Sequence, residues 1–364
     1  MWYHSLKTRQ SVKRINTRNS SGTAVALEYI DKKVEVHHLS REAIPLAFDE
    51  GTCVIFVASR DGCLMLIAVI ISAKGKSTFE FRAWELTSGA AFVQRDITVQ
   101  DVRGLCVSDV KSKAILSLTE VSQHNSQHGL RADGLGDVMA IALGVSAIYI
   151  WKCTKVDGSS INCDIVGQVN FSMSALDVLL LQSSKGDFPQ LLVGESGGVR
   201  VWEKTEEIGD SESISTFKDT FISVQSFDAG TSLVTCQDFQ RIHNGACIFA
   251  NNIGNLYLFM ASQVINLRLP VSQGGHGLFA VENVDEKCSK VTLAVVTKGH
   301  TINLYQLEDL QNLSLNQGSG EDLSLVPNHV LFSTQSLGAI AFLNKATLIA
   351  CSPSSRTLSM WVGV

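Results

Sequence analysis

Gly194-Glu-Ser-Gly-Gly198 fits G-x-S-x-G, the spacing that sets a serine nucleophile on a strained turn. That chemistry needs a strand running into a helix, with backbone N–H groups at the helix start to bind an oxyanion. Here Val199-Arg-Val-Trp202 follows, which alternates like a strand. A hairpin turn that uses glycine for positive φ accounts for the same residues without catalysis. Gly134-Leu-Gly136 lacks a third glycine at dinucleotide spacing and precedes a short apolar strand rather than a helix. His124, His128, Asp133 and Asp137 could surround a metal ion, but they sit in a polar loop with no regular element to fix their geometry. They read as solvated, and no metal, cofactor or catalytic residue is expected. His37-His38 reads as packing, with His37 at a strand end and His38 on the opposite face.

Stepping from these residues to the elements around them, an apolar run at 191–193 meets a Gly-rich turn. A second strand then alternates and ends on a ring, Trp202. Six other stretches repeat that second half. They are Val34-Glu-Val-His37, Phe81-Arg-Ala-Trp84, Ile148-Tyr-Ile-Trp151, Leu256-Tyr-Leu-Phe259, Ile302-Asn-Leu-Tyr305 and Leu358-Ser-Met-Trp361. The ring positions recur at intervals of 46 to 67 residues. Seven copies of one four-strand unit explain this, and a period of that size indicates propeller blades. The expectation is an all-β chain, one domain over residues 1–364, folded as a seven-bladed β-propeller.

Within that frame the fourth repeat has strands at 176–182, 190–194, 199–203 and 213–218. The fifth begins at 221–227 or 233–236, and the sixth ends at 329–333 after a polar loop. Residues 122–137 form a long loop in the third repeat and account for its wide spacing. The last repeat stops at Val364 after its third strand, so its fourth strand must come from elsewhere. Residues 2–8 alternate well enough to supply it, and residues 1–10 then close the ring. No stretch has helical periodicity.

The bulk numbers agree. Apolar residues make up 45% and charged residues 18%, below the usual charged share of about 25%, as suits largely buried strands. The net charge of −5 is too small and mixed to steer nucleic acid or membranes. Nine scattered cysteines without a C-x-x-C pair read as free buried thiols in a reducing compartment. The longest apolar run, 63–71, is too short to cross a bilayer, and residues 1–20 lack the apolar core of a secretory signal. The chain is expected inside the cell, in cytoplasm or nucleus. Lys7, Arg9, Lys13, Arg14 and Arg18 precede the first acid, Glu28. They fit an arm contacting RNA or an acidic partner, an organellar presequence, or a structural strand with solvated basic groups. Strand formation by 2–8 supports the last.

The seven apolar-x-apolar-ring endings resemble the WD40 repeat family over essentially the whole chain, with Val199-Arg-Val-Trp202 nearest to its consensus. No repeat ends Trp-Asp, and Gly299-His300 lies before a third strand rather than a first. The blades are therefore expected to rely on apolar packing in place of the family's buried aspartate network. The resemblance implies a non-enzymatic scaffold or adaptor that binds other protein subunits, as in nuclear-pore scaffolds, arginine-methyltransferase partners or RNA-processing assemblies. The alternative is a hydrolase-type propeller enzyme with its site at the central channel, but the expected inner strands offer only Glu120 and Asp177. Candidate partner-binding residues are His124, His128, Arg131 and Asp133 in the long loop. Glu206, Glu207 and Asp210 in the acidic 203–212 loop follow, then Lys13, Arg14 and Arg18 in the arm.

Overall fold

The computed structural model is all strand among the described residues. These are the strand residues below with connecting residues 8, 10–11, 31, 33, 196–197, 224, 235, 252–255, 262, 269–270, 300, 325–328, 333–338, 345–346, 353–354, 356 and 363–364. In chain order the strands are β1 (Trp2–Lys7), β2 (Val12–Asn16), β3 (Ala24–Tyr29), β4 (Val34–His38), β5 (Leu46–Phe48), β6 (Thr52–Ser59), β7 (Gly62–Ala73), β8 (Lys76–Leu86) and β9 (Phe92–Thr98). Next come β10 (Leu116–Val121), β11 (Asp137–Leu143), β12 (Ala147–Val156), β13 (Ser160–Asn170), β14 (Asp177–Leu181), β15 (Gln190–Glu195), β16 (Gly198–Lys204) and β17 (Phe217–Ser223). The last are β18 (Cys236–Ile242), β19 (Ala246–Asn251), β20 (Leu256–Met260), β21 (Gln263–Arg268), β22 (Gly275–Asn283), β23 (Lys290–Thr297), β24 (Thr301–Glu308), β25 (Asp322–Ser324), β26 (His329–Phe332), β27 (Ala339–Asn344), β28 (Thr347–Ser352) and β29 (Thr357–Val362).

The chain divides into two compact units. The first holds residues 1–15, 175–203 and 218–364. Its sheets run β14-β15-β16-β17, β18-β19-β20-β21-β25, β22-β23-β24-β26 and β27-β28-β29-β1. β14–β16, β18–β21, β22–β24 and β27–β29 are antiparallel meanders, because consecutive strands joined by short turns pair with one another, while β25 joins β21 in parallel.

Alternation along these strands sends side chains to two different cores. In β19 and β20, Cys247, Phe249, Tyr257 and Phe259 pack with Leu179, Leu181, Leu192, Val199 and Val201 of the preceding meander. Their neighbours Ile248, Ala250, Leu256 and Leu258 pack with Phe279, Val291, Leu293 and Val295 of the following one. The β22–β24 meander repeats the division, with Ala280, Ala294, Ile302 and Leu304 facing Ile340, Phe342, Leu348 and Trp361. Strands covered on both faces read as continuous apolar runs.

The recurring ring has the same cause. Phe259, Tyr305 and Trp361 each lie on the face turned to the preceding meander. There each fills space between two sheets that pack about 10 Å apart.

β1 pairs with β29 from Trp2↔Val362 through Lys7↔Thr357. The first strand thus completes the last meander. Thr8 N–H donates to Arg356 O at 2.8 Å and Ser11 Oγ to Pro353 O at 2.5 Å, extending the attachment past the strand.

The second unit holds residues 16–174 and 204–217. In it β3, β4 and β5 form a meander. An eight-stranded sheet, β10-β11-β12-β13-β9-β8-β7-β6, joins the second and third repeats. They were expected as separate sheets. Instead their outer strands meet in a parallel pairing, Ser160↔Asp96 through Asn162↔Thr98. β12 and β13 are 10 and 11 residues long, so β13 begins beyond the usual strand length of 5–6 residues and reaches the open edge of β9.

Two expected boundaries move. The outer strand of the fourth repeat is β17, which runs on to 223 where 218 is the expected end, and β18, 236–242, opens the fifth; residues 213–216 and 225–234, on which parts of the expected strands fall, lie outside the described residues. Neither alternates cleanly. β17 is a sheet edge whose Lys218, Asp219, Thr220, Phe221 and Ser223 are all exposed. β18 has a bulge between Gln237 and Gln240. Gln240 then bridges to β22, its Nε2 donating to Phe279 O at 2.7 Å and its Oε1 accepting from Val281 N–H at 3.1 Å.

Glycine is required at three places in the β15–β16 hairpin, one of them Gly198, where a Cβ would meet the backbone O of Ile222 at 2.2 Å. Gly197 has φ of 82° in open space, whereas a Cβ on Gly194 would meet the backbone O of Cys236 at 2.3 Å. Gly194→Ala should therefore cost about 3 kcal/mol through overpacking against backbone, and Gly197→Ala about 1 kcal/mol through backbone strain alone. Denaturant unfolding of the two variants checks the order, and equal costs would contradict it. Deleting residues 1–8 should expose the edge of β29. Amides of Thr357–Val362 should then lose hydrogen-exchange protection while those of β19 keep theirs.

Candidate functional site

The G-x-S-x-G stretch is a hairpin. β15 and β16 pair from Leu191↔Trp202 to Glu195↔Gly198, so a strand follows the serine, and Ser196 bridges through its backbone to Thr235. The chemistry at this turn belongs to Glu195. Its side chain is 3% exposed and takes Arg200 at both oxygens, Nε to Oε1 at 2.8 Å and Nη2 to Oε2 at 3.1 Å. Arg200 also donates to Asp219, and its guanidinium lies 5.2 Å from the Phe221 ring centroid. Bidentate pairing with Glu195, helped by Asp219, raises the Arg200 pKa further above its ordinary value. The cluster ties β15, β16 and β17 together.

The same position is polar in the following repeats. Strand β19 ends on Asn251, β23 on Thr297 and β28 on Ser352, all buried. Asn251 Oδ1 accepts from Ile253 N–H at 3.1 Å and Asn255 N–H at 2.9 Å, and its Nδ2 donates to Tyr257 Oη at 3.1 Å. Thr297 Oγ1 reaches Thr301, and Ser352 Oγ reaches Ser354 Oγ at 3.1 Å. Each buried polar group satisfies a tight turn, as burial demands. A local polar latch closes each of these hairpins, beside the apolar clusters that pack sheet against sheet. The signal was present in the sequence: Glu195, Asn251, Thr297 and Ser352 each end an apolar run just before the turn.

A third cluster lies on the β3–β4 hairpin. Tyr29 Oη donates to Glu35 Oε2 at 2.7 Å, and His37 Nε2 lies 3.2 Å from the same oxygen. Burial pushes the His37 imidazole below its usual pKa, against the opposing pull of Glu35. His37 therefore packs in the ring position and hydrogen-bonds there. Cys236, Cys247 and Cys351 are buried, and burial raises the thiols of Cys236 and Cys351 to about 12. Such thiols stay protonated and unreactive. Among the described residues no three His, Cys, Asp or Glu side chains gather in a metal-binding arrangement.

Of the sequence candidates, Lys13 and Arg14 are carried by β2. His124, His128, Arg131, Asp133, Glu206, Glu207, Asp210 and Arg18 lie outside the described residues. What sequence reasoning missed is apolar and exposed: Phe221, Ile253, Val326, Val330 and Phe332, with Val326 79% and Phe332 76% exposed. No described helix is long and apolar enough to cross a membrane.

No family model matches the chain, and no curated protein matches it in sequence. Solved structures do match. One is the β-propeller domain of Myceliophteria thermophila Cps50 (Swd1), 13% identical, with TM-score 0.51 and all of both chains covered. BBS1N, solved in complex with ARL6DN, is 9% identical with TM-score 0.56, covering 99% of this chain and 96% of that one. The WD40 domain of SCAP from fission yeast is 10% identical with TM-score 0.50, covering 99% and 87%. At such identities the likeness concerns the fold, and together with the strand meanders it identifies this chain's fold as a WD40-like β-propeller.

Proposed function

We propose that the chain is a non-enzymatic adaptor that holds other protein subunits in a multiprotein assembly. The observation that carries this reading is the contrast between buried polar groups held within their own hairpins and an apolar exterior strip. The latch residues Glu195, Asn251, Thr297 and Ser352 bind partners within their own hairpins, while Val326, Val330 and Phe332 stand in solvent. Exposed apolar groups clustered on one segment mark interaction sites. BBS1N, a protein of similar fold, was solved bound to ARL6DN, which supports a propeller surface as a protein platform here.

The finer reading places the chain in the cytoplasm or nucleus, in keeping with the free thiols of Cys236 and Cys351. Its candidate assemblies are a nuclear-pore scaffold, an arginine-methyltransferase complex or an RNA-processing machine. The loop 122–137, the acidic loop 203–212 and the basic arm are the proposed rim contacts, in that order.

Affinity purification of the tagged full chain from cells, with quantitative mass spectrometry, tests the reading. Stoichiometric protein subunits are expected, and their identity selects among the three assemblies. A bare monomer with hydrolytic turnover would overturn it in favour of a channel-site enzyme. Deleting residues 123–136 should leave the thermal transition intact and reduce subunit recovery several-fold; loss of the transition would count against a contact role for that loop.

A further inference from the structure

The sheet edges of the first unit are not alike. β21 is covered by the chain's own β25, paired in parallel from Asn266↔Asp322 to Arg268↔Ser324. Asn266 Nδ2 donates to Asp322 Oδ1 at 3.0 Å, Arg268 pairs with the same carboxylate, and Leu325 N–H donates to Arg268 O at 2.8 Å. β17 carries exposed Lys218 and Asp219, and β1 carries Lys7. Coverage and charge are the ordinary ways to stop an edge from recruiting another strand. β26 has neither. It is the edge of its sheet, and residues 325–335, Leu-Val-Pro-Asn-His-Val-Leu-Phe-Ser-Thr-Gln, contain no Asp, Glu, Lys or Arg.

The phase of the ladder exposes backbone and side chains at the same residues. Ser333 N–H donates to His300 O at 2.9 Å, and the register runs Phe332↔Thr301, Leu331↔Ile302, Val330↔Asn303. Hydrogen-bonded pairs alternate in an antiparallel ladder, so the N–H and C=O of Val330 and Phe332 turn away from β24. Leu331 is buried in the core toward β27 and β28, while the side chains of Val330 and Phe332 are 41% and 76% exposed on the other face.

We propose that β26 accepts an extended, uncharged apolar segment of a partner protein as an added strand. Val326, Val330 and Phe332 would receive its alternate side chains. The assignment gives partner chemistry to the adaptor reading and rests on it. A second copy of this chain is the poorer occupant. A four-residue strand spans about 14 Å at 3.4 Å per residue, and edge-to-edge pairing over that length falls well short of the roughly 800 Å² per partner of a stable dimer. A linear peptide needs only this strip, since main-chain bonds supply affinity and the side-chain positions supply selectivity. β25 shows in this molecule that a three-residue strand suffices to cover such an edge.

Fluorescence anisotropy of a labelled, capped octapeptide alternating valine and threonine, titrated with the full chain, tests the assignment. Saturable binding is expected. It should weaken at least tenfold with Phe332→Lys, with Val330→Pro, which removes an outward N–H, and with a peptide N-methylated on one edge. The thermal transition of Phe332→Lys should match the unaltered chain because that ring lies in solvent; this variant decides if Val330→Pro fails to fold. No saturable binding up to about 1 mM, a limit of about −4 kcal/mol, would overturn the proposal. So would equal binding by Phe332→Lys, or a concentration-dependent dimer that Phe332→Lys abolishes. If the peptide fails while subunits still co-purify with Phe332→Lys, the edge assignment falls alone. Absence of any subunit removes the adaptor reading itself.

Discussion

Apolar packing on both faces of each sheet is the constraint from which the described core of this protein follows. A meander such as β18–β21 has no core of its own. It is stable because Phe249 and Tyr257 stack at 5.2 Å on one side while Ile248 and Leu258 enter a second cluster on the other. Burial of this kind is worth about 25 cal/mol per Å² of apolar surface, and a single two-sided sheet collects it only when neighbours stand against both faces. Repetition is therefore the physical condition for stability, and each repeat supplies half of two interfaces.

That constraint explains where polarity is allowed. A strand buried on both faces can carry a polar side chain only where a partner waits for it. Strand ends supply such partners, because a tight turn presents unpaired N–H and C=O groups. Asn251, with two backbone donors on one carboxamide oxygen, meets this need within a single hairpin. Glu195 meets it with Arg200, which keeps a buried carboxylate from standing uncompensated. Gln240 does comparable work between repeats by joining β18 to β22. These groups hold local geometry, and they have the appearance of acid–base chemistry only when read apart from their turns.

The outer edges are governed by a different limit. An inner strand is covered by packing, but an outer strand presents open backbone groups that must be covered, charged or used. Joining of β9 to β13, docking of β25 on β21 and pairing of β1 with β29 are three cases of coverage in one chain. They place the exposed valine and phenylalanine of β26 in contrast with the edges around them, and they turn interest from the centre of the fold to its rim.

Local pattern alone determined the strand class, the recurrence of ring-ended strands and the turn at 194–198, since period-2 alternation and glycine chemistry act over a few residues. It also placed residues 2–8 against the last repeat, because a sheet left one strand short needs an edge partner. The strand limits of β17 and β18 escaped it, as their exposed and bulged residues do not alternate. The use of Glu195 and Asn251 as latches was legible only as a polar residue before a turn; their partners depend on strand register. Tertiary structure alone decided that β25 crosses to β21 and that β13 reaches β9, for such pairings depend on which open edge lies nearby in space, a quantity that neighbours in the chain do not specify.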